Sequence, residues 1–187
     1  LLPLLQAAFQ VREHYFGRRV QLHVLINAKS GLCPEDCAYC SQSSVSRAPI
    51  DKYSLLPRKQ IVEGAVKARS DGALRYCIVT SGRHPTDREV ESVADIVREI
   101  KQAVDIDICC CLGLLSEKKA RILKEAGVGR VNHNLNTSRR HHPEICSTHT
   151  YQDRMETLQI VQKVGLSTCC GGIIGMGEQE EDVIDLA

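Results

Sequence analysis

The strongest constraint on the fold is a repeating order along the chain: an amphipathic helical stretch, a glycine just beyond it, and a short β-rich run a few residues later. The spacing predicts helices over 59–70, 88–104, 117–126 and 151–164, with Gly72, Gly127 and Gly165 just past three of them. A glycine there accepts the left-handed conformation that closes a helix. The clearest helix, 88–104, carries Val90, Val93, Ala94, Val97, Ile100 and Val104 at three-and-four spacing, and Thr86 with Glu89 forms a capping-box pattern at its start. Strands are expected over 21–27, 75–80, 105–111, 130–135 and 167–174. Parallel neighbours need a crossover of about a dozen residues, which a helix supplies, so the alternation argues for an α/β fold built on βα units. Residues 180–187 begin a further helix. A doubly wound sheet and part of a (βα)8 TIM-type barrel both fit this order. A full barrel takes about 250 residues, so this chain supplies about five of its eight units.

No proline-rich linker or low-complexity segment divides the chain, and we read residues 1–187 as one domain. A net charge of +1 with 43% hydrophobic and 25% charged residues excludes general disorder. It also gives no electrostatic footprint for nucleic acid or an acidic membrane surface. No apolar run approaches the roughly 20 residues of a membrane helix, and the segment 1–5 lacks the basic flank and cleavage site of a signal peptide. The unusual figure is ten cysteines with no tryptophan. Three lie within eight residues, three are consecutive and two are adjacent, spacings that suit metal ligation better than crosslinking. Ten thiols stay reduced only in a reducing compartment, so a cytoplasmic location is expected.

Directly after the first strand, SGLCPEDCAYCSQSS places Cys33, Cys37 and Cys40 at C-x3-C-x2-C spacing on one loop. Three thiolates on a tight loop hold three corners of an iron-sulfur cube and leave one iron open for chemistry. Structural zinc takes four protein ligands, and the nearest further cysteine, Cys77, lies far along the chain on a strand. Cys77, Cys109 and Cys169 fall on three different strands. Side chains alternate along a strand, so Cys109 and Cys111 share a face that Cys110 does not, and spacing alone does not choose between them. Arg75 shares the face of Cys77, and an inward arginine is costly unless a negative partner meets it. Asn132 and Asn134 share one face of the fourth strand, with His133 opposite and Asn136 just beyond; such residues are depleted in strands and point to a polar site. His141, His142 and His149 flank no informative spacing and are expected to be solvated loop residues.

The three-cysteine loop, with an aromatic before its last cysteine, resembles the signature of the radical S-adenosylmethionine enzymes. The runs NAKSGLCPEDCAYCSQS, NHNLNTS and GGIIGMGE are similar to the biotin synthase family, and the resemblance extends in order over essentially all 187 residues. It implies a 4Fe-4S cluster on Cys33, Cys37 and Cys40 whose open iron is chelated by S-adenosylmethionine. Reductive cleavage then yields a 5′-deoxyadenosyl radical, which attacks dethiobiotin before sulfur is inserted. It also implies a 2Fe-2S cluster on Cys77, Cys109 and Cys169 as the sulfur donor, with Arg75 nearby, and leaves Cys110, Cys111, Cys146 and Cys170 as non-ligands.

By the same resemblance, Asn134 and Asn136 meet the cofactor ribose, Arg154 its carboxylate, and Tyr39 and Ile173 its adenine. The Thr80-Ser81-Gly82 turn holds the methionine amino group. Asn132 and Asn134 contact the substrate. Asn136 stands where many relatives carry aspartate, which removes a charge from that contact. The resemblance further implies an electron donor such as flavodoxin or ferredoxin, a homodimer, and about three βα units beyond residue 187. Two other functions fit the motif alone: a radical enzyme with another substrate, and a non-catalytic metal-binding module.

Overall fold

The computed structural model describes all 187 residues, Leu1–Ala187. The elements follow as α1 (Leu2–Phe16), β1 (His23–Lys29), α2 (Arg58–Ser70), β2 (Arg75–Thr80), α3 (Asp87–Ala103), β3 (Asp107–Cys111), α4 (Glu117–Glu125), β4 (Arg130–Asn132), α5 (His142–Ile145), α6 (Tyr151–Lys163), β5 (Ser167–Cys169) and α7 (Glu180–Leu186). The five strands form one sheet in the order β1-β2-β3-β4-β5, and every pairing is parallel. A doubly wound sheet reverses its strand order at a switch point. No reversal occurs here, which decides for the barrel segment.

The sheet is packed on one face by helices. Tyr76, Ile78, Ile108, Cys110 and Val131 point to that side and are buried, together with Ile61 and Ala65 of α2 and Leu123 of α4. The longest helix, α3, buries Val90, Val93, Ala94, Ile96, Val97 and Ile100, and its capping box between Thr86 and Glu89 forms as the sequence predicts. Gly72 closes α2 with a φ of 87°, the left-handed conformation expected after a helix.

Two expectations are corrected. The strands expected over 130–135 and 167–174 stop early, at Asn132 and Cys169. Beyond them Asn136 turns to a φ of 71°, its N–H donates to Gly171 O (3.1 Å), and Ile173 N–H donates to Asn136 O (2.8 Å). The two chains remain bonded there through a single bridge, Asn136 to Gly172, rather than a ladder. Helix α1 and the one-turn α5 were not foreseen. None of the residues of α1 is buried, and α5 depends on Pro143 near its start and on packing of His142 and Ile145.

Burial sets the expected response to truncation. Ile100→Ala, at a fully buried position, should destabilise the chain by about 2–5 kcal/mol in urea unfolding, and Val66→Ala, on the exposed side of α2, by no more than about 0.5 kcal/mol.

Candidate functional site

The loop that carries Cys33, Cys37 and Cys40 leaves β1 through two left-handed residues, Gly31 (φ 69°) and Leu32 (φ 56°). Gly31 N–H donates to Gln42 Oε1 (2.8 Å), Ser44 N–H to Glu35 O (2.8 Å) and Cys40 N–H to Cys37 O (3.1 Å), so the loop is closed on itself. It is also tied to the segment after α5. Ala38 N–H donates to Ile145 O (2.9 Å), and the Asp36 carboxylate accepts from the N–H groups of Ser147 (3.0 Å) and Thr148 (3.3 Å) and from Thr148 Oγ1 (3.0 Å). The Ser147 hydroxyl, followed by these other donors, holds Asp36 well below the usual carboxylate range.

All three loop thiols open on one cavity of about 220 Å³, lined also by Tyr39, His149 and Arg154. The Thr80-Ser81-Gly82 turn at the end of β2 forms another wall. Burial pushes Cys37 up to about 12 and raises Cys33, while the backbone N–H groups of Glu35 and Gly82 face the Cys33 sulfur and favour its thiolate. Three convergent thiols with N–H donors aimed at sulfur fit the donor set of an iron-sulfur cluster, whose positive irons stabilise thiolates that burial alone disfavours.

The other expected cofactor residues gather beside this cavity. Arg154, one turn into α6, donates from Nη1 to Asn134 O (2.7 Å), from Nη2 to the Tyr39 hydroxyl (3.2 Å) and from Nε to His149 Nε2 (2.9 Å). Asn136 Nδ2 donates to the same Tyr39 hydroxyl (2.5 Å). The four residues Tyr39, Asn134, Asn136 and Arg154 are therefore one hydrogen-bonded group. Ile173 joins it through its backbone bond to Asn136, with its side chain partly exposed. Asn132 and Asn134 share a face, as their alternation requires, with Nδ2 and Oδ1 at 3.5 Å.

The strand cysteines lie on the opposite side of the sheet from the helices. Cys77 is the register partner of Cys109, Cys109 of Arg130, and Asn132 of Cys169. Cys77 and Cys109 are in contact, with Cys169 two residues further along and beyond an intervening strand. The contact with Cys77 and the nearby Arg75 and Arg130 lower Cys109, whereas its contact with Cys109 and burial raise Cys77. Arg75 bonds Asp107 (3.1 Å) and lies 3.3 Å from His23, so protein groups partner it in part. Its Nε and that of Arg130 are nonetheless buried without a partner. Orphaned guanidinium donors beside thiols fit an anionic cluster on this face. Cys110 points into the core, and Cys170 is exposed. Cys111 shares the cysteine face and reaches the wall of the loop cavity.

The histidine expectation is overturned. His141, His142 and His149 are buried rather than solvated, at 7%, 2% and 6% exposure. Burial pushes His142 down to about 4 and His133 down to about 3, so both rings are neutral. His149 packs against Glu35 and Cys146, and Cys146 Sγ lies 3.7 Å from Cys37 Sγ. Sequence reasoning missed this group. The available signal was the Thr150–Asp153 capping box, which places His149 immediately before the helix that delivers Arg154.

Known proteins share the sequence and the fold of this chain. Residues 29–187 match the family described as the Radical SAM superfamily. The chain is 56% identical over 187 residues to a biotin synthase of Bacillus cytotoxicus and 54% identical to one of Lysinibacillus sphaericus. It covers all of its own length but only 56% of each of these relatives. Among solved structures, methylornithine synthase superposes with a TM-score of 0.86 at 22% identity, over 98% of this chain and 54% of that one. The FeFe-hydrogenase maturase HydG of Carboxydothermus hydrogenoformans gives 0.81 at 22% identity, over 94% and 41%. These two likenesses establish the barrel-type fold. With the family match running through the cysteine loop, the cavity and the sheet, the chain belongs to the radical S-adenosylmethionine superfamily.

Proposed function

We propose that this chain is the part of a biotin synthase that binds the radical cofactor, and that the whole enzyme inserts sulfur into dethiobiotin. The observation that carries the reading is the placement of two thiol sets on one side of the sheet: Cys33, Cys37 and Cys40 around a cavity at its edge, and Cys77, Cys109 and Cys169 on its face. The identity to biotin synthases over the whole chain supports the choice of dethiobiotin over another substrate.

In this reading Cys33, Cys37 and Cys40 hold a 4Fe-4S cluster, which with S-adenosylmethionine supplies a 5′-deoxyadenosyl radical. Arg154 sets the cofactor carboxylate, since its guanidinium is fixed by Tyr39, His149 and Asn134 O. Tyr39 and Ile173 border the adenine, and Asn134 and Asn136 offer amides to the ribose hydroxyls. Asn132 and Asn134 present amides to the substrate. Cys77, Cys109 and Cys169 hold a 2Fe-2S cluster, with Arg75 and Arg130 offsetting its charge. Electrons come from a small donor of the flavodoxin or ferredoxin kind, in the cytoplasm, and the whole protein is a homodimer. No helix here is long and apolar enough to cross a membrane.

The deciding experiment is anaerobic reconstitution with iron and sulfide, then reduction in the presence of S-adenosylmethionine. The wild-type chain should release 5′-deoxyadenosine, and Cys40→Ala should release none. Absence of deoxyadenosine from the wild type defeats the reading, and release that ignores dethiobiotin in the whole protein points to another substrate. A separate check concerns the strand face: Cys110→Ala should keep the visible absorbance of the 2Fe-2S cluster, whereas Cys109→Ala should lose it. The opposite result would show that the wrong face carries the ligands.

A further inference from the structure

Glu35, His149 and Arg154 form a line of hydrogen bonds that runs from the cysteine loop to the wall of the cavity. Glu35 lies between Cys33 and Cys37, and His149 follows more than 100 residues later, so the fold rather than a local motif joins them. Both are buried, at 5% and 6% exposure. Arg154 Nε donates to His149 Nε2 (2.9 Å), and His149 Nδ1 meets the Glu35 carboxylate. A guanidinium only donates, so Nε2 is the acceptor and the ring proton sits on Nδ1, where Glu35 accepts it. Arg83 Nε lies 3.7 Å from the other oxygen of Glu35 and offsets part of its charge.

This pairing decides what Arg154 has to offer. A guanidinium carries five N–H donors in one plane. One on each nitrogen is taken here, by His149 at Nε, Asn134 O at Nη1 and the Tyr39 hydroxyl at Nη2. What remains is one N–H on each terminal nitrogen, beside the cavity that the loop thiols line. The bond at Nε is the one nearest the aliphatic stem, so it sets the direction from which the fork enters. A long arginine side chain has many rotamers, and a partner that is itself fixed removes them before a ligand arrives. An imidazole bonded at both nitrogens is fixed in that sense, since neither a ring flip nor a change of tautomer keeps both bonds.

We infer that Glu35 and His149 act as a positioning couple for Arg154, holding its guanidinium toward the cavity so that the seat of the cofactor carboxylate is set by the same loop that carries the three cysteines.

The inference rests on the proposed role of Arg154 and gives the couple an action through that arginine rather than on the cofactor itself. It explains why a carboxylate and an imidazole lie buried beside three thiols. Each satisfies the other, which removes most of the cost of burying them. Cys33, Cys37 and Cys40 all remain with the cluster.

The test measures binding of two probes to the anaerobically reconstituted chain: S-adenosylmethionine, and 5′-methylthioadenosine, which keeps the adenosine and the thioether but lacks the amino-acid carboxylate. His149→Leu should weaken S-adenosylmethionine by about 10-fold or more, the equivalent of one hydrogen bond to a charged group, and leave methylthioadenosine as in the wild type. His149→Gln, which keeps an acceptor and a donor at the end of the side chain, should recover part of the loss. Because His149 acts through Arg154, the Arg154→Leu/His149→Leu double variant should bind no more weakly than Arg154→Leu alone. Iron content and circular dichroism matching the wild type secure each variant as loaded and folded. Equal weakening of both probes, or losses that add in the double variant, would show a general structural role and overturn the inference. Unchanged S-adenosylmethionine binding by His149→Leu, in a preparation whose wild type releases deoxyadenosine, sinks this inference and leaves the cofactor reading standing. A wild type that binds neither probe defeats both.

Discussion

The parallel pairing of β1 to β5, in register but for one shift between Asn27 and Lys29, is the constraint on which the rest of the molecule depends. Each strand runs the same way in sequence order, so the loops after β1, β2, β4 and β5 all emerge at one edge. Catalytic groups of barrel enzymes collect at that edge because it gathers residues remote in sequence. The same pairing gives the sheet two chemically distinct sides. Ile78, Ile108, Cys110 and Val131 face the helices and make the core, while Cys77, Cys109, Arg130 and Asn132 alternate to the other side. A slip of one residue in any pairing would exchange the two sets, driving arginine and asparagine into the core, so burial of the apolar face also fixes where the thiols stand.

The edge site needs a second device, because a loop without ladder bonds does not hold three thiols still. Asp36 supplies it. Its carboxylate collects donors from Ser147 and Thr148, more than 100 residues away, and pins the cysteine loop to the segment that leads into α6. That segment delivers Arg154, whose three donors then join Tyr39 from the cysteine loop, Asn134 from the end of β4 and His149. The position of the residues around the cavity is thus a chain of contacts: one carboxylate aligns a loop with a helix start, and one guanidinium aligns that helix with the sheet edge.

Much of this was legible in the residues. The helices of regular period, 88–104 above all, form within a residue or two of expectation, and β2 spans Arg75–Thr80 as read, because periodicity and caps act locally. The alternation argument placed Cys109 and Cys111 on one face of their strand and Cys110 on the other, and Arg75 with Cys77, without any tertiary information. What escaped has a common cause. The early ends of β4 and β5 are set by the left-handed turn at Asn136, a conformation the sequence pattern does not announce at a non-glycine residue. The burial of His149 and the approach of Cys146 to Cys37 depend on contacts between segments over 100 residues apart, the His142 ring packs edge-on against His149 and Tyr151, and a lone histidine in a polar stretch carries no mark of either. Helix α1 buries nothing, so no apolar stripe packed against the sheet distinguishes it.

Cys109 and Cys110 show how far the sheet decides chemistry. They are neighbours in sequence with the same side chain, yet contact with Cys77 and the nearness of two arginines lower one, while complete burial raises the other well above the ordinary thiol. A thiolate is the ligand and the nucleophile, so only the residue on the arginine side is prepared for either role. The same logic orders the edge site. Cys37 is raised by burial yet lies within reach of Arg154, and a positive ion at its sulfur would reverse the penalty that burial imposes. Cys109 and Cys110 therefore differ neither by type nor by sequence neighbourhood but by whether the fold sets a positive charge beside the sulfur, and the alternation of the strand determines which one receives it.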